Sequence, residues 1–142
     1  MNKILVFGAG YVGLANAIML AKDHDVTIFD IDQHKIDLIN QSKIPIEDSI
    51  AESFMSEQNL NLSADFYNPS YISDVDAIIL ALPTNYDEES NSFNTQILEE
   101  VLSELHSLSI NNLTIIIKST VPVGFTSIMQ ARFRNSNIVF SP

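Results

Sequence analysis

The chain contains no cysteine, which excludes disulfides, zinc ribbons and thiol nucleophiles together. Basic residues are scarce as well: seven lysines and arginines stand against eighteen aspartates and glutamates in 142 residues, a formal net charge of −11. Lys3, Lys22, Lys35, Lys43, Lys118, Arg132 and Arg134 are scattered, with no basic patch, so a nucleic-acid backbone would be repelled and no nucleic-acid partner is expected. His24, His34 and His106 lack metal-ligand spacing, so no metal site is expected. Internal repeats, low-complexity tracts and long linkers are missing too. What is present is a 46% hydrophobic chain long enough for one substantial core, so residues 1–142 read as a single domain. The absence of cysteine is compatible with a reducing, cytoplasmic location.

One apolar stretch imitates a targeting segment. Lys3 followed by ILVFGAGYVGLANAIMLA has the charged start and apolar run of a signal peptide, with Ala15-Asn16-Ala17 as a cleavage site. Three glycines near its middle would each weaken a helix by roughly 1 kcal/mol, whereas a strand, tight turn and helix use them. A membrane span meets the same objection.

The rest of the chain repeats that unit. Residues 3–8 predict a strand and 11–22 a helix, with Val12, Ala15, Met19 and Leu20 at helical spacing. Residues 25–30 (DVTIFD) predict a second strand, and 32–41 a helix carrying Ile36, Leu38 and Ile39. After Pro45, residues 47–58 predict a helix with Ile50, Ala51, Phe54 and Met55 on its apolar face, and 60–63 a short strand. Residues 75–82 (VDAIILAL) are almost continuously apolar, as a strand covered on both faces should be. Residues 85–92 are a polar, acidic segment whose Asp87, Glu88 and Glu89 read as a solvated loop. Residues 94–108 predict a helix, 113–118 a strand, and Pro122 with Gly124 a turn before a helix through Ile128, Met129 and Phe133. A last strand follows at 138–140. Alternating strands and helices with short connections imply a doubly wound α/β fold of Rossmann type, a mostly parallel sheet with helices on both faces.

Gly8-Ala9-Gly10-Tyr11-Val12-Gly13 matches GxGxxG at the junction of the first strand and first helix. In that position Gly8 permits the tight turn, Gly10 admits a pyrophosphate to the backbone, and Gly13 lets the helix pack closely. The unpaired amides and positive end of the helix dipole then face the phosphates. Asp30 ends the second strand seventeen residues after Gly13, where an acid accepts hydrogen bonds from the adenosine ribose hydroxyls. A carboxylate there repels a 2′-phosphate and no arginine adjoins it in sequence, so NAD is expected over NADP. The competing reading, a cap on the following helix, suits Asp32 better than Asp30. Ser119 and Thr120 follow a buried strand at the edge where open α/β sheets bind ligands, which marks Thr120 as a site candidate.

Four segments together resemble the UDP-glucose/GDP-mannose dehydrogenase family: GAGYVGL at 8–14, FDID at 29–32 with Lys35, ALPTNY at 81–86 and IKSTVPVGF at 117–125. Within it, PTNY followed by Phe93-Asn94-Thr95 is most similar to the short bacterial UDP-glucose 6-dehydrogenases, with GDP-mannose and UDP-N-acetylmannosamine dehydrogenases as alternatives. A stand-alone, non-catalytic NAD-binding module and a hydroxyacid or hydroxyacyl dehydrogenase are the remaining readings. The resemblance implies oxidation of a sugar C6 alcohol to a carboxylate, reducing two NAD, with a cysteine thioester in the second step. It also implies that Asp30 and Lys35 contact the adenosine ribose, that Tyr11 and Val12 present backbone to the pyrophosphate, that Thr84 lines the cofactor cleft, and that Thr120 contacts cofactor and orients a water or the substrate hydroxyl. Pro45-Ile46-Glu47-Asp48-Ser49 departs from the family's acidic-proline-glycine-leucine stretch. Members continue past Ser-Pro with glutamates, a central helix that supports a homodimer, and a UDP-sugar domain carrying the cysteine. This chain alone is therefore expected not to oxidise UDP-glucose.

Overall fold

The computed structural model describes residues 2–57, 59–89, 91–108, 113–134 and 136–142. In chain order the elements are β1 (Lys3–Phe7), α1 (Tyr11–Leu20), β2 (Asp25–Phe29), α2 (Gln33–Asn40), α3 (Ser49–Glu57), β3 (Leu62–Asp65), a 3-10 turn (Pro69–Ile72), β4 (Ala77–Leu80), β5 (Tyr86–Asp87), β6 (Ser92–Phe93), α4 (Gln96–Ser107), β7 (Thr114–Ile117), α5 (Phe125–Arg132) and β8 (Asn137–Phe140). Six strands form one sheet in the order β3-β2-β1-β4-β7-β8, every neighbouring pair parallel. This is the doubly wound order in which the chain starts at the centre, winds outward one way, then returns to β4 and winds the other. The expected α/β Rossmann-type fold is therefore present. No helix among the described residues is long and apolar enough to cross a membrane.

Side-chain alternation along β1 divides the core. Ile4 and Val6 join Leu14, Ala17, Ile18, Ile36, Ile39 and Met55 beneath α1, α2 and α3. Leu5 and Phe7 join Leu98, Leu102, Leu105, Phe125 and Met129 on the face covered by α4 and α5. Both faces being covered, the strands read as continuous apolar runs.

Helix faces depart from the expectation where the helix is apolar nearly all round. The face read from α1, with Val12, Ala15 and Met19, is the exposed one, and Gly13, Leu14, Ala17 and Ile18 are buried instead. Periodicity does not select a face in YVGLANAIML; Gly13 does, because only a residue without Cβ can lie against the first turn. On α3, Ala51 and Met55 are buried but Ile50 and Phe54 are exposed, and Ile97 and Ile128 likewise face outward. Asp48 caps α3 by accepting from the amides of Ile50 and Ala51, which starts the helix later than expected; Gln58, the expected last residue, lies outside the described residues. The short strand expected at 60–63 lies at Leu62–Asp65. Within the polar segment, β5 and β6 pair antiparallel, with Tyr86 and Phe93 rings edge-on at 5.3 Å.

Candidate dinucleotide site

Strand β1 ends in a turn that only glycine can make. Gly8 has φ +100, and a Cβ there would sit 2.4 Å from the Ala81 carbonyl oxygen, so both conformation and space exclude a side chain. A Cβ on Gly13 would meet the Gly8 carbonyl oxygen at 1.8 Å, so α1 lies directly on the turn. Gly10 differs: its φ is −86 and a Cβ would point into open space, with nothing within 4 Å. Gly8 thus makes the turn and Gly13 allows the close packing, as expected of them, while at Gly10 the structure shows open space. Gly10 caps α1 without a side-chain hydrogen bond, and the first intrahelical bond runs from Leu14 N–H to Gly10 O at 2.9 Å. Among the described residues the amides of Tyr11 and Val12 have no partner, and both side chains are exposed. Free amides at the positive end of a helix are the chemistry that holds a diphosphate.

The acid expected beside the turn is there. Register places Phe7 opposite Phe29, so Gly8 and Asp30 leave their strands side by side. The Phe7 and Phe29 rings meet edge-on at 5.2 Å, and Tyr67 packs on both, which buttresses the two strand ends from below. Asp30 Oδ2 accepts from Ala9 N–H at 2.8 Å, and Oδ1 accepts from Asp32 N–H at 3.0 Å. Lys35 Nζ stands 3.5 Å from Oδ2. Asp32, not Asp30, caps α2 by accepting from His34 N–H at 2.9 Å, as the capping preference indicated. The bond to Ala9 was not legible in sequence. The spacing of acid and glycines matched it, but spacing alone names no partner.

On the other side of β1, Thr84 and Thr120 emerge from β4 and β7, which are paired in the sheet. Ser119 ties the two loops: its buried hydroxyl donates to the Leu82 carbonyl at 2.8 Å, with the Leu80 carbonyl at 3.3 Å. Thr84 is half-buried and Thr120 exposed. A groove of about 580 Å3 lies elsewhere, between the β5–β6 pair and α4, where Glu99 and Arg132 pair at 3.5 Å. None of the expected cofactor residues lines it. Among the described residues no cluster of three or more histidines and acids could hold a metal.

The residues gathered at these strand ends have the chemistry to receive an ADP-like group. Open space at Gly10, unpartnered helix amides and a carboxylate one strand away match a diphosphate and the ribose attached to it. Comparison with known proteins points the same way. Residues 2–139 match the model for the UDP-glucose/GDP-mannose dehydrogenase family, NAD binding domain. The chain is 42% identical to UDP-glucose 6-dehydrogenase of Campylobacter jejuni, over 99% of this chain and 36% of that protein. It is 39% identical to UDP-glucose 6-dehydrogenase of Streptococcus pneumoniae, over 99% of this chain and 35% of that protein. GDP-mannose dehydrogenase of Pseudomonas aeruginosa shares the fold at TM-score 0.79 and 24% identity, over 95% of this chain and 34% of the other. The chain thus spans about a third of the length of these relatives. Fold, glycine turn and family match converge: the chain belongs to the UDP-glucose/GDP-mannose dehydrogenase family, whose NAD-binding domain it represents.

Proposed function

We propose that this chain is the cofactor-binding part of a UDP-glucose 6-dehydrogenase, oxidising UDP-glucose to UDP-glucuronate with two NAD. The observation that carries the reading is the Asp30 carboxylate held level with the glycine turn, beside helix amides that have no partner among the described residues. The names of the two relatives near 40% identity support the choice of sugar nucleotide. In this reading Gly8, Gly10 and Gly13 shape the turn, and the Tyr11 and Val12 amides donate to the pyrophosphate. Asp30 accepts from the adenosine ribose hydroxyls, with Lys35 holding the carboxylate in place. NAD, when bound, supplies the hydride acceptor. Thr84 would line the cofactor cleft, and Thr120 would contact the cofactor and orient the reacting hydroxyl or a water. A threonine hydroxyl suits that task because it donates and accepts, while its own acidity makes it a poor general base. Without cysteine the chain forms no thioester, so UDP-glucose and NAD added to it yield no UDP-glucuronate by the thioester route.

Calorimetric titration of the purified chain with NAD and NADP tests the cofactor assignment. NAD is expected to bind at least about tenfold more tightly, since a 2′-phosphate would be brought against the Asp30 carboxylate. Equal or tighter NADP binding overturns the role given to Asp30.

A further inference from the structure

We infer that Asp30 is also the positioning residue of the glycine turn, setting the aim of the amides that face the diphosphate. The inference rests on the cofactor reading above and extends it. In a regular strand successive amides point to opposite neighbours. Gly8 N–H bonds to the Phe29 carbonyl on β2 at 2.8 Å, so Ala9 N–H in a continuing strand would point toward β4. The left-handed Gly8, φ +100, turns the next peptide back toward β2, where the Asp30 side chain accepts from Ala9 N–H at 2.8 Å. Ala9 is fully buried. Without the carboxylate its N–H would lose its partner away from water, and the turn would relax to find another.

The carboxylate is held for this task by two groups and by burial. Asp32 N–H occupies Oδ1 at 3.0 Å, Lys35 Nζ stands 3.5 Å from Oδ2, and the side chain is only 11% exposed. A carboxylate offers about four acceptor positions, so the clamp leaves capacity for a ribose hydroxyl. One side chain would therefore serve both halves of ADP recognition, the sugar directly and the diphosphate through Ala9.

The two roles predict opposite signs for a ligand without ribose hydroxyls. If Asp30 acted only on the ribose, removing its negative charge would leave binding of 2′,3′-dideoxyadenosine diphosphate unchanged or tighter. If Asp30 positions the turn, Asp30→Ala weakens that ligand by about tenfold. Asp30→Asn, whose Oδ1 can still accept from Ala9, restores most of the affinity. Amide exchange of Ala9 in the ligand-free chain is read in parallel by NMR. It is expected to quicken by about tenfold in Asp30→Ala and to stay near wild type in Asp30→Asn, while Leu5 and Ile28 amides are unchanged. Asp30→Leu, closer in size, replaces the alanine variant should the latter unfold. Dideoxy-ADP binding to the alanine or leucine variant as tightly as to wild type, or an unaltered Ala9 exchange rate, overturns the inference. Failure of wild type to bind ADP at all sinks the cofactor reading separately, and Ala9 exchange then decides the clamp by itself.

Discussion

Alanine at Gly10 and alanine at Gly13 should separate binding from folding within three residues of chain. At Gly13 the new Cβ would stand 1.8 Å from the Gly8 carbonyl oxygen and 3.0 Å from its carbon, both backbone atoms. That oxygen belongs to a turn already pressed on Ala81, so α1 itself must withdraw by more than an ångström. Leu14, Ala17 and Ile18, all buried against the sheet, would lose their fit. Overpacking of this kind costs about 3 kcal/mol or somewhat more, because the clash is with main chain and not with a movable side chain. For a domain of this size that lowers the melting temperature by roughly 10 °C. At Gly10 no atom lies within 4 Å of the new Cβ and φ is already −86. Lower entropy of the unfolded chain would stabilise by about 0.5 kcal/mol, offset by a similar loss because alanine caps helices poorly. Gly10→Ala should therefore melt within about 3 °C of wild type. Its NAD affinity should nonetheless fall at least about tenfold, since the methyl group occupies the path of the pyrophosphate. Thermal unfolding followed by circular dichroism, and NAD titration by calorimetry, read the two effects. Wild-type NAD affinity in Gly10→Ala would refute the placement of the diphosphate, and wild-type melting of Gly13→Ala would refute the packing argument.

Two further outcomes concern the fold that carries the site. Asn40 on α2 closes the open edge of β3, its amide donating to the Ala64 carbonyl and accepting from the Ala64 N–H, both at 2.8 Å. Asn40→Ala should cost about 1–3 kcal/mol in denaturant unfolding, and Asn40→Asp at least as much, because its second oxygen faces the carbonyl it should donate to; an unaltered unfolding midpoint in Asn40→Ala would count against the edge clamp. The Tyr67 hydroxyl is buried with no partner at ordinary hydrogen-bond distance among the described residues, and burial, followed by the charge of the Glu104 carboxylate and a long hydrogen bond toward it, pushes its pKa from 10.0 up to about 12. The folded chain thus keeps this proton longer than the unfolded chain, so the stabilising difference is complete below pH 10 and is lost as pH rises toward 12. Tyr67→Phe should remove that part of the alkaline decline without lowering stability at neutral pH; identical declines in both proteins would rule out Tyr67 as a source.

The elements were legible because their signals were local and redundant. VDAIILAL has nowhere to go but a strand covered on both sides, and GAGYVG marks where one strand must end. Helix orientation was less legible where apolar residues surround the axis. In YVGLANAIML the buried face follows from a contact between Gly13 and Gly8, a tertiary fact with no periodic signature. Ile50, Phe54, Ile97 and Ile128 are apolar residues of helices yet stand exposed, which residue type and spacing alone do not reveal. The β5–β6 pair hid inside a polar segment because two residues per strand leave no alternation to detect. At the site, the glycines and Asp30 stood out by type and spacing, whereas Ser119 and the Ala9 amide act through carbonyl, carboxylate and N–H partners that sequence does not pair.

Why an acid seventeen residues past Gly13 should face the turn follows from lengths alone. Helix α1 has ten residues and descends about 15 Å at ~1.5 Å each. Strand β2 has five residues and climbs about 16 Å at ~3.3 Å each, from a turn whose His24 N–H still bonds to Leu20 O at 3.0 Å. Descent and ascent nearly cancel, so β2 ends level with β1, and the pairing of Phe7 with Phe29 records that equality. The spacing is therefore a property of the strand-helix-strand unit, and any residue at position 30 would arrive at the same height. Chemistry enters only through what stands there. A carboxylate at that height can take the turned-back amide of Ala9 and still offer an oxygen to a ribose, whereas a longer basic side chain would leave the amide without an acceptor. Selectivity for the cofactor and the shape of the turn that receives it thus converge on one residue, and substitutions aimed at the first should disturb the second.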